Sequence, residues 1–205
     1  MSSLFADITV RNGTFVVSGS IRVETSAVLF ARNGSGKTTF LKGVAGLLQS
    51  EGQVLLGERD VSKLSPDKRG ISYVPNDPKL PLSLSKLSRL LNVDVEELKD
   101  LGYDIDPRRP ITSLSLGQRQ LSFVLSVIKS PRTKAVLLDE SLNNVSNKDT
   151  VLKFVLKLAR DLGKPVVYST NDPNDVRLFE KTFTISEGKV WEFRSKLHLE
   201  YLNFE

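Results

Sequence analysis

The sequence has no cysteine and only one histidine and one tryptophan. Without cysteine, the chain can form neither a disulfide framework nor a metal site built on thiolates. This absence is compatible with a reducing cytoplasm. His198 lies in a polar C-terminal tail, where we expect an exposed side chain, and Trp191 fits a strand at the end of a sheet better than a ligand site.

Long apolar runs are also missing. No segment approaches the 18 uninterrupted apolar residues that a membrane-spanning helix requires, so we expect any membrane role to involve a partner. The first residues read Met-Ser-Ser-Leu-Phe-Ala-Asp and contain no basic region ahead of an apolar stretch. We therefore expect no signal peptide.

The basic residues exceed the acidic ones, 29 to 24, and give a formal net charge of +5. They are spread along the chain, which favours a solvated surface suited to anionic nucleotides over a nucleic-acid interface. A length of 205 residues suits one α/β domain with a sizeable core. We therefore expect a single domain over residues 1–205 that does not bind nucleic acid.

The apolar pattern predicts two kinds of sheet in one chain. Residues 4–10 and 15–23 alternate like strands and are joined by Asn12-Gly13, a strong hairpin signal. Farther along, short apolar runs alternate with helical spacing, which is typical of a parallel sheet flanked by helices. The other predicted strands are 27–30, 53–56, 71–74, 135–138, 166–169, 183–185 and 190–193. The predicted helices are 38–48, 82–101, 116–128, 148–162 and 176–179. The fold class is α/β, with a mixed, mainly parallel sheet and an N-terminal antiparallel portion.

Residues 31–39, Ala-Arg-Asn-Gly-Ser-Gly-Lys-Thr-Thr, stand between a predicted strand and a predicted helix. The glycines allow backbone N–H groups to curl around phosphate oxygens at the positive end of the helix. Lys37 can reach the β and γ phosphates of ATP, and the Thr38 hydroxyl can ligate Mg²⁺. The segment predicts a P-loop NTPase whose nucleotide-binding residues are Asn33, Gly34, Ser35, Gly36, Lys37, Thr38 and Thr39. Ala31 stands where the usual pattern has glycine, so we expect a negative φ there.

The apolar run at 135–138 ends in Asp139 and Glu140. A buried strand would deliver Asp139 to the carboxyl edge of the sheet, where it can hold Mg²⁺. Glu140 would then point elsewhere and could polarise an attacking water. The alternative is a surface turn with solvated acids.

The segment 114–120, Leu-Ser-Leu-Gly-Gln-Arg-Gln, precedes a predicted helix, Pro131 and the acidic strand. With the phosphate loop and that strand, it resembles ATP-binding-cassette (ABC) ATPases over nearly the whole chain. The resemblance implies that Ser115, Gly117 and Gln118 bind ATP held by a second protomer, head to tail. The alternative is an ordinary helix capped by a serine.

The chain departs from this family around the terminal phosphate. Asn76 stands where relatives usually have a glutamine that reaches the metal and the attacking water, and Asn171 where they have a switch histidine. We assign catalytic roles to Glu140, Asn76 and Asn171, and metal ligation to Thr38, Asp139 and Asn76, whose shorter side chain requires a backbone shift or a bridging water. These changes predict slow hydrolysis, or pairing with a second, different cassette.

Three further segments also differ from the family or leave a choice open. Leu116 stands at the usually glycine third position of the signature, and Ser146, where an aspartate is common, is predicted to cap the next helix in a pair with Asp149. Relatives stack the adenine on an aromatic residue near the first hairpin, for which Phe5 and Phe15 are candidates. The helical insert, at about 77–130, looks shortened, and its leucines form either core or a groove for a membrane partner.

The resemblance implies an ATP-binding subunit of an ABC transporter, working as a homodimer or as a heterodimer with a second ABC domain. ATP and Mg²⁺ are the expected ligands, and an integral-membrane transporter subunit is the expected partner. The location implied is cytoplasmic and peripheral, at the inner face of the cell membrane. The alternatives are a soluble non-transport ABC ATPase and a nucleotide-gated interaction module with little hydrolysis.

Overall fold

A computed structural model describes residues 2–79, 86, 95–106 and 108–193. Ten strands form one sheet: β1 (Leu4–Asn12), β2 (Phe15–Val23), β3 (Ser26–Phe30), β4 (Ser50–Leu56), β5 (Arg59–Asp60), β6 (Ile71–Val74), β7 (Ala135–Asp139), β8 (Val166–Thr170), β9 (Lys181–Ser186) and β10 (Lys189–Phe193). The helices are α1 (Lys37–Ala45), α2 (Pro66–Arg69), α3 (Val95–Asp100), α4 (Leu116–Lys129) and α5 (Lys148–Asp161). Short 3₁₀ turns occupy Ile111–Ser113 and Pro173–Leu178.

The strand order is β5-β4-β1-β2-β10-β9-β3-β8-β7-β6. The segment from β9 to β6 is parallel throughout, whereas β5, β4, β1 and β2 pair antiparallel. β10 joins the two segments, parallel to β2 and antiparallel to β9. The mixed sheet with an antiparallel N-terminal portion is confirmed. The first hairpin turns where expected, with Gly13 at a φ of 62°.

Two apolar cores cover the two faces of the sheet, and β3 contributes to both. Val28 and Phe30 pack into the core that contains α4 and α5, and Ala27 and Leu29 pack into the core that contains α1. All five residues of β3 are buried. This two-sided burial explains why the strand is apolar at nearly every position and not only at alternate ones.

Several boundaries differ from the sequence predictions. α1 ends at Ala45, three residues early, because Gly46 adopts a left-handed φ of 77° and caps the helix. β4 begins at Ser50, three residues early, because its first residues pair with β1. The two-residue β5 and the one-turn α2 were not predicted from periodicity, since both are too short to carry one.

The predicted cap of α5 by Ser146 is wrong. Asn147 is the N-cap residue, with a left-handed φ of 52° and no side-chain hydrogen bond to the helix. The Ser146 backbone N–H instead donates to the Tyr103 hydroxyl at 2.6 Å. Asp149 pairs with Lys153 at 2.7 Å and with Arg177 at 2.9 Å, so it does not complete a capping box.

Much of the predicted helix at 82–101 lies outside the described residues, as does His198. The described part contains α3, whose Leu98 is fully buried in the core, which supports the core role for that leucine. Trp191 lies on β10 and is 54% exposed. None of the helices in the described part of the chain has the length and apolar character that a membrane span requires.

Candidate functional site

The phosphate loop runs from the end of β3 to the start of α1. Gly34 and Gly36 have left-handed φ values of 78° and 107°, which a side chain would disfavour. The φ of Ala31 is not positive, which confirms the prediction. Its buried N–H donates to the Thr170 carbonyl at 3.2 Å. The Ser35 hydroxyl is buried and has no hydrogen-bond partner among the described residues, which is the state expected of a group that awaits a polar ligand.

A cleft of about 450 Å³ opens above this loop. It is lined by Asn12, Phe15, Asn33, Gly34, Gly36, Lys37, Thr38, Thr39, Asn76, Asp139 and Glu140. The structure therefore brings together nine of the residues that the sequence assigned to nucleotide, metal or catalysis. Phe15 and not Phe5 faces the cleft, because the Phe5 ring lies against Arg22, whose guanidinium carbon is 5.0 Å from the ring centroid.

Lys37 is the buried cation of the cleft, with a side chain only 5% exposed. Its Nζ donates to the carbonyls of Ala31 at 2.8 Å and Arg32 at 3.0 Å, and lies 3.4 Å from Glu140 Oε1. Burial lowers the pKa of Lys37, and the nearby carboxylates of Glu140 and Asp139 oppose that shift. The ammonium group thus lies among acceptors that anionic phosphate oxygens can replace.

Asp139 accepts hydrogen bonds from three neighbouring segments. Its Oδ2 receives the hydroxyls of Thr38 and Tyr73, both at 2.7 Å, and its Oδ1 receives Ser169 Oγ at 2.6 Å. Burial and the adjacent carboxylate raise the pKa of Tyr73, which therefore stays a donor. Sequence reasoning missed Tyr73 and Ser169, and the available signal was that both are polar residues near the carboxyl ends of buried strands.

The oxygen atoms of Thr38 and Asp139 are of the kind that Mg²⁺ binds. No cluster of three or more histidine, cysteine or acidic side chains within the described residues could hold a metal by itself. Mg²⁺ usually binds one or two protein oxygens and completes its shell with phosphate oxygens and water. The adjacent Thr38 hydroxyl and Asp139 carboxylate are two oxygen groups of this kind at the edge of the phosphate loop.

Glu140 adopts an unusual backbone conformation, with a φ of 52°. Its N–H contacts the carbonyl and the hydroxyl of Ser169, both at 3.2 Å, which holds this turn on β8. A left-handed non-glycine residue is strained, and such strain concentrates at functional sites. The turn separates the two acids, so Glu140 points to Lys37 while Asp139 points to Thr38.

Asn76 and Asn171 are placed differently. Asn76 lines the cleft, and Gln120 holds its side-chain oxygen at 2.8 Å. Asn171 contacts the phosphate loop, because its Nδ2 donates to Asn33 Oδ1 at 3.3 Å. It borders a smaller adjoining cavity of about 220 Å³ and does not line the cleft.

The signature residues do not line the cleft. Ser115 caps α4 in a reciprocal box, in which its hydroxyl accepts from the Gln118 N–H and its own N–H donates to Gln118 Oε1. Gly117 packs so closely on the segment after β7 that an added Cβ would lie 2.2 Å from the Asn144 carbonyl oxygen. The capped helix predicted as the alternative is present, and it is also compatible with binding a ligand from outside the chain.

Residues 16–143 match the family model described as ABC transporter. The chain belongs to the ABC transporter family. The resemblance inferred from the phosphate loop, the acidic strand and the signature is therefore confirmed, and the match extends from β2 to just beyond Glu140.

Curated ABC proteins are similar over most of this chain. The molybdenum import ATP-binding protein ModC of Brucella abortus (strain 2308) is 32% identical over 215 residues, covering 93% of this chain and 59% of that protein. The thiamine import ATP-binding protein ThiQ of Chelativorans sp. (strain BNC1) is 31% identical, covering 79% and 73%. The chain thus spans about three-fifths of the length of the ModC protein.

Solved ABC structures share the fold. A nucleotide-free ATP-binding cassette from an ABC transporter superposes with a TM-score of 0.77 at 18% identity, covering 98% of this chain and 94% of that one. At this low identity the likeness concerns the fold, which is the P-loop architecture predicted from the sequence.

Proposed function

We propose that the chain is the ATP-binding subunit of an ABC transporter and that residues 1–205 form one ATP-binding domain. The observation that carries the proposal is the contact between Thr38 and Asp139, which joins the phosphate loop to the acidic strand at 2.7 Å in one cleft. The relatives named as molybdenum and thiamine import ATP-binding proteins support the transport role. An integral-membrane subunit would be the partner, with this chain peripheral at the inner, cytoplasmic face.

ATP would lie with its phosphates on the loop formed by residues 33–39. The inward N–H groups and Lys37 would bind the β and γ phosphates, and the unpartnered Ser35 hydroxyl offers one further donor. Thr38 and Asp139 would hold Mg²⁺, which would neutralise charge on the phosphates when bound. Phe15, which lies at the cleft beside Gly36, would meet the adenine.

Glu140 would act as the base that polarises the attacking water. In the structure its carboxylate pairs with Lys37, so phosphate oxygens that bind Lys37 would free Glu140 to accept a proton. Asn171 borders the adjoining cavity, so it would contact the nucleotide only after moving toward the cleft, and it cannot become cationic as a histidine can. We therefore expect hydrolysis slower than the roughly 10 per second typical of enzymes.

The second half of the site would come from another ABC domain. Ser115, Gly117 and Gln118 lie at the N-terminus of α4, where a hydroxyl, backbone N–H groups and the helix dipole can meet a γ-phosphate. They do not line the cleft of their own chain. A head-to-tail homodimer or heterodimer would bring one chain's α4 to the partner's ATP.

The test compares ATP turnover and gel-filtration mass for the wild type and Glu140→Gln with Mg-ATP. We expect slow turnover by the wild type and an ATP-bound dimer without turnover for Glu140→Gln. A wild type that turns over at an ordinary enzyme rate contradicts the slow-hydrolysis proposal.

A nucleotide-gated interaction module is the second candidate, which the altered residues Asn76, Ser146 and Asn171 favour. In that case the wild type and Glu140→Gln would both bind ATP with no measurable turnover. Co-purification with a multi-span membrane protein would favour the transporter subunit.

A further inference from the structure

Gln120 is a fully buried side chain on α4 that joins two segments at the edge of the cleft. Its Nε2 donates to the backbone carbonyl of Asn76 at 2.7 Å and to Asn76 Oδ1 at 2.8 Å. Its Oε1 accepts from the backbone N–H of Asn144 at 3.1 Å. Gln120 therefore connects the loop after β6 with the segment after β7.

The two backbone contacts determine the orientation of both amides. A backbone carbonyl only accepts and a backbone N–H only donates, so Gln120 has to present its NH₂ to Asn76 and its oxygen to Asn144. Asn76 must then turn its oxygen toward Gln120, because two NH₂ groups at 2.8 Å would repel each other. Backbone contacts thus fix the Gln120 amide, and Gln120 in turn fixes the Asn76 amide.

This orientation leaves the Asn76 NH₂ on the opposite side of the amide group. Asn76 borders the cleft together with Lys37, Asp139 and Glu140. Within the part of the chain that the structure describes, Nδ2 of Asn76 has no hydrogen-bond partner. The two N–H donors of Asn76 suit an anion, whereas its oxygen is turned toward Gln120 and already accepts one hydrogen bond there.

We propose that Gln120 is a positioning residue that makes Asn76 a hydrogen-bond donor to the terminal phosphate of the nucleotide instead of a metal ligand. The inference rests on the proposed function, since it requires a triphosphate on the loop. It replaces the metal role that the sequence suggested for Asn76. Thr38 and Asp139 then remain as the side chains that would hold Mg²⁺.

The first experiment measures ATP and ADP affinity for Asn76→Ala and Asn76→Asp by displacement of a fluorescent nucleotide, with Mg²⁺ and with EDTA. We expect Asn76→Ala to weaken ATP binding about tenfold and ADP binding little, with or without Mg²⁺. Asn76→Asp should bind ATP more weakly still, because a carboxylate oxygen would face the phosphate. If Asn76→Asp matches the wild type with Mg²⁺ and the Asn76→Ala loss disappears in EDTA, Asn76 is a metal ligand and the proposal is overturned.

The second experiment tests the positioning role with Gln120→Glu, which keeps an acceptor for Asn144 but removes the donors to Asn76. The Asn76 amide should then reverse and present its oxygen to the cleft. We expect a loss of ATP affinity similar to that of Asn76→Ala, and no additional loss when the two changes are combined. Equal losses from Gln120→Glu in the wild-type and Asn76→Ala backgrounds would show that Gln120 does not act through Asn76.

Two controls separate this effect from loss of folding. Gln49→Glu makes the same chemical change at an exposed position away from the cleft and should leave nucleotide affinity unchanged. Thermal melting followed by circular dichroism reports the fold. If Gln120→Glu does not fold, Gln120→Met fills similar space without hydrogen bonds, and the same comparison with Asn76→Ala applies.

Wild type and Lys37→Ala distinguish failure of this inference from failure of the proposed function. If ATP binding depends on Lys37 but is unchanged in the Asn76 and Gln120 variants, only the positioning role is overturned. A wild type that does not bind ATP, or a Lys37→Ala variant that binds as well as the wild type, would overturn both.

Discussion

The two halves of the proposed site, one at the phosphate loop and one at the signature, satisfy their polar groups in different ways. Thr38 of α1, Tyr73 of β6 and Ser169 of β8 all donate hydrogen bonds to Asp139 of β7, so the first half is assembled inside the chain. Ser115 bonds only within its own helix start.

This difference is the one expected if the second half of the proposed site acts on a nucleotide bound by a partner. The first half also has a cleft of its own, whereas the second presents a capped helix end that does not line that cleft. Changes in the first half should therefore affect binding of nucleotide by the single chain. Changes in the second half should affect association.

Replacement of Lys37 should have the largest effect. Lys37→Ala removes the buried cation that lies at the phosphate loop, and charge-assisted contacts to phosphate are among the strongest hydrogen bonds. We expect ATP affinity to fall by more than about 100-fold in calorimetric titration. Lys153→Ala, which removes a lysine from the exposed face of α5, is the matched control. Equal affinities for the two variants would contradict the assignment of the cleft.

Gly117 should be the most sensitive position of the signature half. In Gly117→Ala the new methyl group would meet the Asn144 backbone oxygen, which cannot move aside like a flexible side chain. We expect a loss of about 1–3 kcal/mol in the free energy of unfolding, measured with urea, and weaker ATP-dependent dimerisation. Gly163→Ala meets no atom within 4 Å and carries only the cost of its left-handed φ. That control should leave ATP-dependent dimerisation unchanged. If Gly117→Ala also dimerises normally, Gly117 is not part of the proposed interface.

Ser115 should have a smaller effect that separates the two halves most cleanly. Ser115→Ala removes the hydroxyl half of the capping box, which is worth about 1 kcal/mol of stability. ATP affinity of the monomer should stay at the wild-type value, while the ATP-dependent dimer seen by gel filtration should weaken. Thr112→Ala, three residues earlier and exposed, is the control. Loss of monomer affinity in Ser115→Ala would mean that the helix end serves its own chain's cleft.

Tyr73 should show the smallest effect, and one confined to the first half. Tyr73→Phe removes one of three hydrogen bonds to Asp139 and loosens the orientation of that carboxylate. We expect the Mg²⁺ concentration for half-maximal ATP binding to rise by about two- to fivefold. Tyr103→Phe also loses a hydroxyl contact, to Ser146, but lies away from the cleft. A similar shift in Tyr103→Phe would attribute the change to general loosening.

Local sequence signals predicted the elements that carry the site. β6 has the predicted bounds, and α4 begins at the predicted Leu116, because each combines a clear apolar pattern with a strong stop or start. Lys37, Thr38 and Asp139 were predicted because glycine spacing and an acidic strand end are read along the chain. The contact between them follows from the parallel order of the sheet.

The supporting residues could not be predicted from such signals. Ser169 and Tyr73 reach Asp139 because β8 and β6 lie on either side of β7 with a particular register, which the sequence does not specify. Gln120 is a polar residue at a core position of α4, and its partners lie 44 and 24 residues away in the chain. The left-handed Asn147 starts α5 directly after Ser146, whose N–H donates to Tyr103, 43 residues earlier in the chain.

The shared membership of β3 in both cores has a consequence for how the domain comes apart. Opening either face of the sheet would expose part of the same strand, so neither core can open without weakening the other. The amides of β3 should therefore be among those that exchange their hydrogens slowest, through global unfolding. Because the phosphate loop begins at the end of this strand, a half-open domain would not retain a working nucleotide site, and binding and fold would be lost in one cooperative transition.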